Sequence, residues 1–470
     1  MIRAYIHNHV ARDPFLSARR DGSQAVVEIT DRILSASWSL TVRDPYEVAQ
    51  VRTSIRINEL GVLGIGTPQN RELPAIHASG WLELRENDVR VFFGVISRLS
   101  TGLSVDPHGA RRSQGVTIKA SSWLSIVSQP FKLTEIRSLY NPAGLYDFKR
   151  WSQVFERVFA TGASIDVADG LRSAWRELVP FVTPEGDRLS EFDVLINPED
   201  LGATPRSLTR VRGSNISQVP TSTSGSLWAT FSQTFAPAPQ LIELFATREA
   251  GTPALIYRMK PLPPRVVSGY FEREDRIPED SDDVGIEAHR APDYQQIHDV
   301  ISYSLEFQGT RNNYIEVTSS YLGVSPLVGL VSDPYVLGDD VSRYGLHPLE
   351  ITYPLIRKNE GSLRADLEAL TRYATALYSE GHAFGVASIE APYQPALRVG
   401  EWSRWFDYTE GEGSVMTGYL TAISHRLSVD ERGRVTRRTS LQLERVSQYG
   451  RPSAKQLNRT GARTTIELRG

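Results

Sequence analysis

The chain has 470 residues, 40% of them hydrophobic and 23% charged, with a net charge of −3 and no cysteine. That size holds two to four domains with buried cores, and the near-neutral balance excludes a generally nucleic-acid-seeking or membrane-seeking surface. Absence of thiols removes disulfides, thiolate catalysis and cysteine-ligated metals, and no apolar run approaches the ~20 residues of a membrane helix.

Residues 1–130 read as a first β domain. The N-terminal MIRAYIHNHV lacks the apolar core of a secretion signal and enters an alternating strand, so export by a standard signal is not expected. Short alternating runs follow at Ala25–Thr30, Ser37–Val42, Ser54–Glu59, Trp81–Arg85, Val89–Leu99 and Gly115–Lys119, separated by Asp-Gly or Asp-Pro turn signals. Evenly spaced short strands predict a sandwich or small barrel. Residues 131–265 read as an inserted mixed α/β domain. Phe148, Trp151, Phe155, Val158 and Phe159 space an amphipathic helix, Ser226–Phe235 a second short one, and residues 183–225 a long polar loop. Leu241–Lys260 reads as strand, turn, strand.

A β-rich connecting domain is expected over 266–350. It opens on an acidic surface loop, Glu272–Asp283, and continues into strands at Asp299–Phe307 and Tyr314–Val317. Residues 351–446 form a second β domain that carries the clearest helix, over 362–379. There Leu363, Leu367, Leu370, Ala374 and Leu377 make one stripe, with Ser362 as N-cap and Gly381 beyond the end. Residues 447–470 read as an extended polar tail, whose Thr464–Leu468 could add a strand to a neighbour's sheet.

The strongest local pattern is Val415–Val446, which alternates with period two on both sides of Asp430–Gly433, the pattern of an antiparallel hairpin with one buried face. It repeats an earlier stretch. Leu427-Ser428-Val429-Asp430 and Gly433 match Leu103-Ser104-Val105-Asp106 and Gly109 at an offset of 324. At that offset Gly94 meets Gly418, Leu99 meets Ile423 and Trp81 meets Trp405, and each copy then runs through an arginine pair, Arg111-Arg112 and Arg437-Arg438. Shared turn chemistry accounts for the Asp and Gly but not for the paired tryptophans and glycines, so a structural duplication is expected.

Residues that could carry chemistry do not assemble into a catalytic set. Gly61–Gly66 is glycine-rich but is followed by Thr67-Pro68, without the helix start and lysine of a phosphate cradle. His7 and His9 share a strand face with no further ligand at metal spacing, and His382 follows a helix end. Neither a nucleophile elbow nor a zinc-protease motif occurs. Glu401, Asp407, Glu410 and Glu412 would be the carboxylates of a cell-wall hydrolase, and Trp402, Trp405, Phe406 and Tyr408 the stacking platform of a carbohydrate- or receptor-binding protein. Packing of the second β domain is the competing reading of those aromatics.

Several segments in order have a family look: Ser37–Pro45 (SWSLTVRDP), Asp299–Phe307 (DVISYSLEF), Val341–Leu346 (VSRYGL), the 362–379 helix, Pro395–Trp402 (PALRVGEW), Gly418–His425 (GYLTAISH) and Thr439–Val446 (TSLQLERV). This order resembles the baseplate or tail hub proteins of long-tailed bacteriophages and related contractile injection machines, over most of the chain outside about 165–225. The resemblance implies an α+β, mainly β fold: two similar antiparallel β-barrel-like domains with inserted helical or mixed domains. It also implies a non-enzymatic homotrimer without cofactors or metals, whose alternating β domains make a quasi-sixfold ring. Such a ring joins the tail tube protein to a central spike or tip protein, beside neighbouring baseplate proteins. It surrounds a channel that the tape-measure protein and DNA cross without specific binding. The place implied is the virion, with assembly in the host cytoplasm and no membrane contact. Asp106, Gly109, Arg111, Arg112, Asp430, Gly433, Arg437 and Arg438, at the duplicated hairpin tips, are the expected ring contacts.

Overall fold

The structure is a computed structural model that describes residues 2–7, 26–43, 47–55, 80–105, 111–122, 238–249, 252–261, 294–307, 312–319, 334–352, 363–378, 385–407, 414–429 and 433–448, with short pieces between 125 and 232 and at 330–331. The expected helix around Phe148–Phe159, the glycine-rich 61–66 stretch, the acidic 272–283 loop, His9, His382, Tyr408, Glu410, Glu412 and the tail beyond 448 lie outside them, as does most of the expected Ser226–Phe235 helix.

The first β unit comprises β1 (Ile2–His7), β2 (Val26–Glu28), β3 (Ile33–Thr41), β4 (Val48–Thr53), β5 (Trp81–Glu86), β6 (Val89–Val105) and β7 (Arg111–Ser122). A two-residue turn with left-handed Asn87 (φ 47) and Asp88 (φ 67) joins β5 to β6, the geometry that matches the twist of a tight hairpin. β4 lies just upstream of the strand expected at Ser54–Glu59, of which residues 56–59 lie outside the described residues. In β4, Ala49, Val51 and Thr53 point inward and Val48 outward, so hydrophobicity in the sequence does not follow the burial. Inward Thr53 is satisfied because its hydroxyl donates to Val116 O at 2.9 Å.

Between the units lie short antiparallel pairs, β8 (Pro130–Lys132) with β11 (Ser224–Ser226) and β9 (Ser164–Asp166) with β10 (Arg210–Arg212). The expected hairpin forms from β12 (Ile242–Glu249) and β13 (Thr252–Met259). A four-stranded sheet follows: β16 (Tyr314–Ser319), β17 (Leu330–Val331), β18 (Tyr335–Val336) and β19 (Pro348–Thr352), with α1 (Gly338–Tyr344) between β18 and β19. Gly345, at φ +81, ends α1, and buried Asn313 ties the turn by donating to Gly345 O and accepting from His347 N–H, both at 2.7 Å. Helix α2 (Leu363–Tyr378) buries Leu367, Leu370, Ala374 and Leu377, the expected stripe. Its Tyr373 and Tyr378 hydroxyls donate to the carbonyls of Lys260 and Gln240, at the open end of the β12–β13 hairpin.

The second β unit contains β14 (Gln295–Gln296), β15 (Ser302–Phe307), β20 (Gly385–Pro392), β21 (Trp402–Asp407), β22 (Ser414–Val429) and β23 (Val435–Gln448). Strand order in the first unit runs β3-β4-β7-β6-β5, and in the second β15-β20-β23-β22, with β21 against β22. These are the same unit twice, joined into one thirteen-stranded sheet where β22 pairs β3. The mainly β, α+β class expected from sequence is therefore what the chain forms. Its two units share a continuous sheet over two hydrophobic cores.

Register makes the duplication residue-specific. Val105 faces Arg111 and Val429 faces Val435, each pair 324 apart. Both long strands carry a bulge at the same place: the ladder skips Ser97 between Ile96 and Arg98, and Thr421 between Leu420 and Ala422. Each bulged residue turns its hydroxyl onto the neighbouring strand, Ser97 Oγ donating to Lys119 O at 3.2 Å and Thr421 Oγ1 to Gln442 O at 3.1 Å. The matching hydroxyls at offset 324 were available in the sequence, but the period-two pattern hides an unpaired residue.

The ladder also corrects one correspondence. Leu82 faces Gly94 and Ser403 faces Gly418, so Trp81 is equivalent to Trp402, not to Trp405. Trp405 instead takes the place of Leu84, and both lie in their unit's core. Likewise Arg111 and Arg112 occupy the positions of Val435 and Thr436, so the two arginine pairs are not equivalent.

The duplicated glycines differ in what they admit. A Cβ on Gly94 would lie 2.2 Å from Ser121 O, a backbone atom, whereas one on Gly418 would meet the side chains of Val446 and Leu443 at 2.9 and 3.1 Å. Gly94→Ala should cost about 3 kcal/mol and Gly418→Ala about 1 kcal/mol in urea unfolding, because the ladder must part in one case and side chains shift in the other. Equal costs would contradict this account.

Candidate assembly surfaces

Each unit lends side chains to the other's core. Leu427, near the tip of β22, belongs to the first core, while Leu40 and Val42, at the end of β3, pack on the second. This exchange builds a polar-aromatic cluster at the joint. His425 faces Trp38 across the β22–β3 ladder, with ring centroids 5.3 Å apart, and Tyr393 meets His425 edge-on at 5.1 Å. Thr439 Oγ1 accepts from Gln394 N–H at 3.0 Å and lies 3.0 Å from His425 Nδ1. The direction of that bond follows the imidazole tautomer, because the hydroxyl oxygen has two lone pairs and can accept from both neighbours or donate to Nδ1. Burial holds the His425 pKa down at about 4, so the ring is neutral at ordinary pH.

Across the same joint the Tyr393 hydroxyl donates to Glu86, and Arg437 Nη1 donates to Glu86 Oε1 at 2.9 Å. The Arg437 guanidinium also stands 5.8 Å from the centre of the Tyr393 ring. Arg437 thus links the two units within the chain. Arg438, about half exposed, donates to Glu390 at 2.9 Å.

The other expected ring contacts divide in two. Arg111 and Arg112 begin β7 opposite Val105 and Ser104. Exposed Gly433 has φ +75, a left-handed conformation that explains glycine at the second tip. Asp106, Gly109 and Asp430 lie outside the described residues.

A second buried cluster sits on the opposite face of β5. Glu83 accepts from His7 Nε2 at 2.8 Å and from Arg85 and Arg90 Nε at 2.7 Å each. Trp81 stacks on Phe93 at 4.7 Å, and Arg90 lies 4.5 Å from the same ring's centre. Burial pushes the Glu83 carboxyl up, but its three donors outweigh that and hold it at about 2. His7, read from sequence as one of a surface pair, is a buried partner of this carboxylate.

Trp402 and Trp405 are 2% and 0% exposed, so neither presents a face for stacking a sugar. No group of three or more His, Cys, Asp or Glu side chains suited to a metal ion occurs among the described residues. No described helix is long and apolar enough to cross a membrane.

No protein-family model matches this chain, and no curated protein matches its sequence. Solved structures do show likeness. A tail protein from Neisseria meningitidis MC58 aligns with 94% of this chain and 95% of its own, at 11% identity and TM-score 0.44. The 43 kDa tail protein of prophage MuSo2 from Shewanella oneidensis aligns over 94% of this chain and 97% of its own, at 10% identity and TM-score 0.41. A chain of the phage P2 baseplate in its activated conformation covers 95% of this chain and 99% of its own, at 8% identity and TM-score 0.25.

Proposed function

We propose that this chain is the structural hub of a phage tail tip or baseplate. In this reading three copies form a ring of six similar β units that joins the tail tube to a central spike and encloses the channel for tape-measure protein and DNA. The supporting observation is the duplication itself: two units with one strand order, one hairpin-tip register and one bulge, Ser97 and Thr421. Three copies of a doubled unit present six near-equivalent edges, which lets a threefold assembly meet a sixfold tube. The sequence resemblance to tail hub proteins supports the same reading. The hairpin tips, with Arg111, Arg112, Gly433 and Arg438, serve as ring-face contacts, neighbouring baseplate proteins bind outside them, and the work is done by interfaces without catalysis or cofactor. The particle is assembled in the host cytoplasm and the chain ends in the virion.

The alternative of a carbohydrate- or receptor-binding tail-tip protein loses two of its four platform residues, since Trp402 and Trp405 are core residues. Light scattering across a concentration series tests the hub. The expected mass is three times 52.5 kDa, reached either throughout or as concentration rises. A chain that stays at 52.5 kDa, alone and with tube and spike proteins present, would refute the ring.

A further inference from the structure

The joint between the two units uses one strand edge from each, and the chain carries a second pair of the same edges. Within the chain, β22 meets β3 with Ile423 opposite Leu40, Ser424 opposite Ser39 and Arg426 opposite Ser37. The counterpart of β3 in the second unit is β15, because Tyr303 faces Ile389 of β20 as Ala36 faces Val51 of β4. Phe307 then stands where Leu40 stands, Glu306 where Ser39 stands and Ser304 where Ser37 stands. The counterpart of the β22 stretch is Leu99–Ser104 of β6, at the offset of 324.

Among the described strands, β15 ends the sheet, and β6 leaves one edge of its tip half unpaired. β15 pairs with β20 on one side and is the last strand of the thirteen. β5 accompanies β6 only as far as the Trp81–Val95 pair, which leaves the tip half of β6 with β7 alone. The apolar side chains also differ between the two joints. Leu40 is packed on the second core, whereas Phe307, its counterpart, is 45% exposed and nearby Ile301 is 52% exposed. An edge strand with exposed apolar residues is a template for pairing with another chain.

We propose that Ser302–Phe307 of one copy pairs antiparallel with Leu99–Ser104 of the next, repeating the β3–β22 joint between molecules. The register is Phe307 with Leu99, Glu306 with Ser100, Ser304 with Gly102 and Ser302 with Ser104. The occupant is a second copy of this chain, because this sequence already docks these two kinds of edge against each other once. The contact is head-to-tail, so repeating it generates a closed ring when the rotation per unit divides the circle. This inference rests on the ring reading above and adds its joint.

The sequence contains no cysteine, so introduced thiols have no background. Val42 N–H donates to Thr421 O at 2.9 Å, which makes that a hydrogen-bonded pair. By alternation Ser39–Ser424 is a non-hydrogen-bonded pair, and so is its counterpart Glu306–Ser100. At such pairs the Cα atoms are ~4.5 Å apart and a disulfide can form. The variant S39C/S424C should close a disulfide within one chain and leave its denatured mass unchanged, as the positive control. Under mild oxidation, S100C/E306C should run as covalent dimer and closed trimer on a non-reducing denaturing gel. Equimolar S100C and E306C single variants should give a linked dimer on mixing, while S100C/S302C, four residues out of register, should stay unlinked. F307D, at a half-exposed position, should keep its far-UV circular dichroism and shift the solution mass from trimer to monomer. If S100C/E306C is a trimer by mass yet stays unlinked, or F307D assembles normally, the joint is wrong while the ring survives. If every variant and the parent chain remain monomeric, joint and ring fall together.

Discussion

Replacing Glu83 with leucine should lower the unfolding free energy by about 3–5 kcal/mol, the usual cost of leaving buried cationic groups without their counter-charge. Glu83 is 1% exposed, and its partners His7 and Arg90 are themselves 5% and 19% exposed at the side chain. Leucine fits the space but accepts no hydrogen bond, so the three donors would face apolar surface. Glu83→Gln separates charge from geometry. Its carbonyl oxygen can still take the Arg85 and Arg90 donors, and its amide can donate to an unprotonated His7 Nε2, so it should cost less than leucine. Urea unfolding at pH 7 measures both. If E83L unfolds at the parental midpoint, the cluster is not a source of stability.

The same carboxylate predicts acid behaviour. Its folded pKa of about 2 lies below the ordinary value of 4.5, so its stabilisation is present above pH 4.5 and is lost as pH falls from 4.5 through 2. Glu83→Gln should remove that slope.

His425 should act in a separate, milder window. Its folded pKa of about 4 lies below the ordinary 6.5, so the unfolded chain binds the proton first. Stability should therefore fall as pH drops from 6.5 to 4, by about 3 kcal/mol in all, and level off below. His425→Phe keeps an aromatic ring against Trp38 and Tyr393 but leaves the Thr439 hydroxyl without its imidazole partner. At pH 7 it should be about 1 kcal/mol less stable than the parent. Its pH profile should be flatter between 6.5 and 4, so the two curves should cross. Parallel curves would mean that His425 does not titrate with unfolding. Because this ring sits where the two β units meet, the loss should appear as opening of the β22–β3 joint, visible as earlier amide exchange at Trp38 and Leu427 than at Leu84 or Ile118.

The hairpin of β22 and β23, the α2 helix, β1 and the β12–β13 hairpin were all legible from the order of residues, because each is a local pattern. Alternation with period two identifies a half-buried strand, and a stripe at three and four residues identifies a helix. The duplication was legible too, since equal spacing between equivalent residues survives wherever the intervening loops are equal. It failed at tryptophan for the same reason. Trp81 and Gly94 are separated by a two-residue turn, whereas residues 408–413 intervene between β21 and β22, so the offset changes from 324 to 321. An odd change of register exchanges the faces of a strand, which is why Trp405 is a core residue and Trp402 is the true counterpart of Trp81.

The candidate surfaces were less legible. Arg437 was recognisable as a cation near a hairpin tip, but its carboxylate, Glu86, is 351 positions away. The Glu83 cluster left no signal in the sequence, because alternation assumes that one face of a strand meets water and β5 is buried on both faces. By itself, the sequence determined the locally patterned elements, among them β1, the β12–β13 and β22–β23 hairpins and α2, that the β unit occurs twice, and that thiol chemistry is absent. Only the tertiary structure decided which strands pair, which glycine meets backbone and which edges remain open. Local patterning encodes the face a residue turns inward, whereas a strand's partner is selected by long-range ladders, bulges and cores that segments hundreds of residues apart build together.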